Sequence, residues 1–210
     1  MKQKAKNEAI NYFFVLHGRS IDRCHEPMES CDLPAIRAHS IPSSTVLSRL
    51  EHDGHVIMPH LKLKFPPPSE MEFKSIGKRH ATTFTGLCSR HDNDIFRPID
   101  VGLPVLQNKE HLFLLAYRAV IREYHVVLQN AIRFRASYEK RIELGLSPGN
   151  VPCDFGLAAL SHQLNAFECY EYKRHYDEGY LAHDWQSLEH FVIVLQNQPP
   201  SIAVSSTAHL

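Results

Sequence analysis

The chain has 210 residues, 43% hydrophobic and 22% charged, an ordinary globular mixture that excludes wholesale disorder and fibrous repeats. No apolar run approaches the ~18–20 residues of a membrane span, and residues 1–8 (MKQKAKNE) lack an apolar signal core, so a cytoplasmic protein with no membrane partner is expected. Formal net charge is zero, yet residues 146–210 hold only 2 of the 23 Lys and Arg against 7 of the 23 Asp and Glu, leaving a mildly basic front that permits a nucleic-acid partner without demanding one.

Residues 10–17 (INYFFVLH) are aromatic and β-branched and read as a first strand closed by Gly18. Residues 24–42 follow as a loop-rich stretch. Ser43 or Ser44 then caps a short helix over 45–51 that stops at Asp53-Gly54. Residues 55–65 end in alternation (Leu61, Leu63, Phe65) and read as a strand. The three prolines at 66–68 close it, since proline cannot donate to a ladder. A further strand is expected at 81–87, and a short helix at 92–96 halted before Pro98.

From Lys109 the pattern changes. Phe113, Tyr117, Val120, Tyr124, Val127, Ala131, Phe134 and Tyr138 recur at steps of four and three, flanked by Leu114, Ile121 and Leu128. This predicts one long amphipathic helix running to Gly145. Ser147-Pro148-Gly149-Asn150 breaks it. A second helix over 157–176 carries Leu157, Leu160, Leu164 and Phe167 at helical spacing, and that stripe is expected to pack on the first helix in an antiparallel hairpin. Residues 191–195 and 202–205 read as a terminal β-hairpin in need of a partner, an open end that fits a chain leaning on a partner or continuing into a longer one. The fold class is α+β: a small module at 1–100, then a mainly helical domain at 101–210 with a C-terminal β-hairpin. Its helical half offers a surface for a protein partner or a second copy.

Five cysteines and fifteen histidines are the unusual feature of the composition. An odd cysteine count in a reducing compartment argues against a disulfide framework and for metal coordination. Cys24-x6-Cys31 and Cys88-x2-His91 form two close pairs, the arrangement from which zinc takes four soft or borderline ligands in a tetrahedron. The alternative makes Cys24 and Cys31 small buried hydrophobes and His91 a surface residue, against which stand the charged neighbours Arg23, His25 and Glu26. Cys169 falls within a helix as packing, and Cys153 is unassigned. Lys78, Arg79 and His80, after Gly77, are candidate nucleic-acid contacts. No phosphate-binding glycine loop, nucleophile elbow or deaminase zinc motif is present.

Cys24 and Cys31, then Ala38-His39-Ser40-Ile41-Pro42, then Gly86-Leu87-Cys88-Ser89-Arg90-His91-Asp92 together resemble the zinc-containing, treble-clef branch of the HNH endonuclease family, over about residues 20–97. The resemblance implies a zinc-bound ββα-metal module in which Cys24, Cys31, Cys88 and His91 hold a structural Zn²⁺. It makes His39 the general base that activates water for attack on a phosphodiester, and Asp92 a ligand of a catalytic Mg²⁺ or Mn²⁺. The implied activity is that of a metal-dependent endonuclease acting on DNA, in defence or mobile-element biology. Three positions depart from the family pattern. Ala38 stands where an acidic metal ligand is usual, Thr83 near the asparagine that orients the base, and Asp92 at the closing histidine. Asp94, His80 or a residue of His52-Asp53-Gly54-His55 would have to make up the missing ligand. Ala38 and Thr83 favour a second reading, a catalytically inactive zinc-stabilised module that binds nucleic acid or a protein partner. His39 also has structural alternatives, bonding a turn or joining the zinc ligands.

Overall fold

A computed structural model of the chain describes residues 2–64, 68–192 and 202–205. The elements run α1 (Lys2–His17), β1 (Ala38–His39), a single 3-10 turn (Leu47–Arg49), β2 (His55–Lys62), β3 (Glu70–Gly77), β4 (Thr83–Phe84), α2 (Ser89–Asp100), α3 (Lys109–Glu143) and α4 (Asp154–Leu181). The class is α+β. Among the described residues no helix is long and apolar enough to cross a membrane.

The long helix forms as its periodicity predicts. The Asn108 side chain caps it by accepting from the Glu110 amide at 2.9 Å. Gly145 ends it at φ 65°, with the Leu146 amide reaching back to the Arg141 carbonyl at 2.8 Å. Tyr117 meets Tyr176, Tyr124 meets Tyr170 and Phe134 meets His162, an order that makes α3 and α4 antiparallel. Between them the buried Lys173 ammonium donates to Asp177 at 2.7 Å, and the Tyr117 hydroxyl donates to the same carboxylate. The main core joins Cys24, Leu87, Cys88, Ile95, Phe96 and Ile99 to Phe113, Tyr117, Val120, Ile121 and Tyr176, so it draws on both sides of residue 100.

Two small antiparallel sheets complete the front of the molecule. β1 pairs with β4, Ala38 opposite Phe84 and His39 opposite Thr83. β2 pairs with β3 from His55 opposite Gly77 to Lys62 opposite Glu70. The chain between β1 and β4 therefore makes a ribbon, entered through a turn at Asp53 and Gly54, both at positive φ. Val56 anchors its base in a second, small core with Ile41, Leu47 and Ala81.

Several expectations are corrected. Residues 10–17 are the second half of α1, not a strand. The Lys, Gln, Ala and Glu of residues 2–9 are strong helix formers. Phe13 meets Phe134 of α3 at 5.8 Å, and Arg133 closes the helix end by donating to the carbonyls of Leu16, His17 and Arg19 at 3.1, 2.9 and 2.7 Å. The helix expected over 45–51 contracts to turns around Leu47–Arg49. Of the strand expected at 81–87 only the two-residue β4 forms, because Thr82 bends the chain at φ 57°, and the longer strand β3 lies ahead of that bend. α2 runs through Pro98 to Asp100; the amide bond that Pro98 forfeits would serve the Asp94 carbonyl, on the solvent side of the helix. The stripe on α4 is not buried: Leu157, Leu160, Leu164 and Phe167 are 50–61% exposed. Small residues, Ala159, Ala166 and Cys169, make the buried contact instead. The described parts of the expected terminal hairpin, 191–192 and 202–205, are not in strands, and Ala203 packs on the small core. The rest of that hairpin lies outside the described residues, as does Phe65.

Candidate metal centre and its flank

Three segments of chain meet at the paired cysteines. Cys24 and Cys31 lie at either end of a loop that Glu26 organises. Its carboxylate accepts from the Met28 amide at 2.8 Å, the Ser30 amide at 2.6 Å and the Ser30 hydroxyl at 3.1 Å. Burial works to raise this carboxyl, but those hydrogen bonds hold it below its ordinary range. The six-residue spacer is thus a folded loop, and Glu29 takes φ 51° within it. Cys88 is the N-cap of α2, and His91 is in its first turn. Gly86 lets this corner sit close, because a Cβ there would strike the Phe84 ring and meet Ile121 at 3.0 Å.

The ligand atoms of Cys24, Cys31, Cys88 and His91 lie within 4.8 Å of one another. Among the described residues this is the only convergent group of three or more His, Cys, Asp or Glu. It can hold a metal ion. Cys31 Sγ is 3.8 Å from Cys88 Sγ, and His91 Nδ1 is 3.4 Å from Cys24 Sγ and 3.5 Å from Cys88 Sγ. The Cys88 amide donates to Cys24 Sγ at 3.2 Å. Burial pushes the Cys24 thiol up to about 12. Burial works on Cys88 in the same direction, but the amides of His91 and Arg90 and the neighbouring thiols hold it below its ordinary value. The start of α2 therefore favours a thiolate there.

His39 lies on the strand beside this corner. Its Nδ1 donates to the Ala81 carbonyl at 2.8 Å. A carbonyl can only accept, so Nδ1 carries the proton and Nε2 keeps its lone pair. Burial pushes His39 below its usual value, and Arg118 acts in the same sense, while the Ala81 hydrogen bond and Asp100 oppose them. The balance favours the neutral ring. The turn that aims this carbonyl contains Thr82 at φ 57°, and the Thr82 carbonyl accepts from the Ser40 amide at 3.0 Å. A β-branched residue in that region is held there by its surroundings.

Asp92 is half-buried and is not part of the cysteine-histidine group. Burial pushes its carboxyl up, and Arg118 draws it back. Arg118, which as one of the long helix's arginines is expected on a solvated face or tracking phosphates, is instead buried: its guanidinium grips Asp100 through two bonds of 2.8 and 2.6 Å and lies 4.2 Å over the Phe96 ring. Arg118 and Asp100 thus act on both His39 and Asp92. Lys78 is engaged elsewhere, with Glu51 at 2.8 Å and the Ser48 hydroxyl at 3.1 Å. Arg79 and His80 are exposed, as are His52 and His55. Comparison of the chain with protein-family models, with curated proteins and with solved structures found no match.

Proposed function

We propose that Cys24, Cys31, Cys88 and His91 hold a structural zinc, and that the ββα-like module built on it is a metal-dependent, HNH-like endonuclease hydrolysing DNA. A tetrahedral Zn²⁺ with bonds of about 2.3 Å to sulfur and about 2.0–2.1 Å to nitrogen has edges of about 3.8 Å between sulfurs and about 3.5 Å from sulfur to nitrogen. The distances of 3.8, 3.4 and 3.5 Å in the cluster fit those edges.

The observation that carries the nuclease reading is the tautomer of His39, held by the Ala81 carbonyl with Nε2 left free. Nε2 takes a proton from a water whose oxygen attacks phosphorus; the bond to the 3′ oxygen breaks, and that oxygen is protonated from solvent. Asp92 would offer one carboxylate to Mg²⁺ or Mn²⁺, hard cations that prefer oxygen ligands. When bound, such an ion supplies charge stabilisation at the phosphate and the leaving oxygen. The second reading, a zinc-stabilised binding module without catalysis, is favoured by Ala38, a buried methyl where a second ligand would be needed.

Nicking of supercoiled plasmid with Mg²⁺ or Mn²⁺ separates the two. The wild type is expected to cleave, and His39→Ala to lose about 10²–10⁴-fold while its melting temperature is kept. Cleavage falls as His39 is protonated, so its acid limb lies below pH 6.5 and the rate is level above it. Equal cleavage by His39→Ala overturns the assignment of the base. DNA retention without cleavage by either protein establishes the second reading.

A further inference from the structure

Helix α4 is apolar on two opposite faces. One face, with Ala159, Ala166, Cys169 and Tyr176, is buried against α3. The other carries Leu157 at 55%, Leu160 at 50%, Leu164 at 55% and Phe167 at 61% exposure. Their spacing of three, four and three is that of a coiled-coil seam. Between Leu157 and Phe167 the helix is thus apolar on both faces, and α3 covers only one of them. The exposed row continues across the α3–α4 groove, where Phe167 stands beside Leu128, Ala131 and Tyr170. Ile132, at the same groove, is 49% exposed. The opposite flank of α3 is taken by α1 through Phe13 and Phe134.

We propose that this face is a homodimer interface, in which the α3–α4 hairpins of two copies pack into a four-helix arrangement. Two properties select a second copy of the chain as the occupant. The first is charge. The four seam residues are interspersed with Ser161 and Gln163, and no charged side chain stands between Leu157 and Phe167. Along the seam the face can therefore meet itself about a two-fold axis without opposing like charges, and the groove beside it holds one cation, Arg135, already paired with Glu139 at 3.0 Å, and one carboxylate, Glu29, too little positive charge for a phosphate backbone. The second is area. At the exposures above, Leu157, Leu160, Leu164, Phe167 and Ile132 offer about 500 Å² of apolar surface, taking a large apolar residue as roughly 200 Å². A standard interface of about 800 Å² per partner that is ~56–65% apolar requires about that much.

Sedimentation velocity of the full chain from 1 to 100 µM tests this. A dimer is expected within that range. Leu164→Gln with Phe167→Gln should raise its dissociation constant at least 100-fold, with helix content and metal content unchanged. Should that pair disturb folding, Leu157→Gln with Leu160→Gln provides the same test at the other end of the seam. A wild type that stays monomeric at 100 µM overturns the proposal, as does a dimer that persists in a folded double variant. The result does not depend on whether the chain cleaves DNA.

Discussion

His125 is buried between the two halves of the molecule. Its ring is 5.8 Å from that of His25 and 6.0 Å from Phe84, and its Nε2 is 3.4 Å from the Thr85 hydroxyl. Burial pushes it down to about 4; Arg133 and Arg122 act in the same sense, and Asp22 opposes them. Its folded pKa is below the unfolded value of 6.5, so the unfolded chain takes up the proton first as pH falls. Stability is complete above pH 6.5 and is lost as pH drops toward 4, by about 3 kcal/mol from this group. Urea midpoints at pH 7 and pH 4.5 should differ in that direction, and His125→Leu should shrink the difference without abolishing it, because burial also pushes the neighbouring His25 down, to about 3; a difference that His125→Leu leaves unchanged removes His125 as a contributor. At this scale the convergence of Cys24, Cys31, Cys88 and His91 into a group that can hold a metal ion was legible in the sequence, because thiols and imidazoles in close pairs have few other uses. The Ala81 carbonyl that sets the His39 tautomer was not, since a backbone carbonyl leaves no mark in the residue type. The Arg118–Asp100 pair was hidden for a different reason: the two residues are brought together only when α2 packs on α3.

Among the elements, α1 shows how a local pattern can mislead. Its aromatic second half has the look of a strand, but the helix-forming first half and the docking of Phe13 on Phe134 decide the outcome. Arg133 is the clasp, supplying donors to three carbonyls at the helix end. Arg133→Ala should cost about 1–3 kcal/mol, since hydrogen bonds from a charged donor are lost. Amide exchange within α1 should accelerate about tenfold or more while α3 and α4 keep their protection. Unchanged exchange in α1 would show that the aromatic contact alone holds it. The long helix was legible because its period persists over many turns. On α4 the period was read correctly but assigned to the wrong face: the large residues of the stripe face solvent, and alanines make the close helix contact. Hydrophobicity along the sequence reports that a face wants cover, and not which neighbour supplies it.

For the whole molecule, the cysteine-histidine corner is where the front module and the helical half become one body. Cys24 and Cys88 are members of the main core, together with Phe96, Tyr117 and Tyr176. A metal held there would fix the start of α2 and, through Gly86 and Phe84, the strand opposite His39. The division of the chain near residue 100 seen in the sequence marks a change of secondary structure, while the packing runs across it. The proposed nuclease chemistry thus depends on the same corner that joins the two halves. The most direct test of this account is the metal content of the native chain and of Cys88→Ser. The account predicts one zinc per wild-type chain. It predicts loss of that zinc in the variant together with collapse of the front module, since structural zinc contributes ~10 kcal/mol or more to folding. A wild-type chain that purifies without metal and does not take up zinc, or a Cys88→Ser chain that keeps its zinc and its cooperative melting, would contradict it.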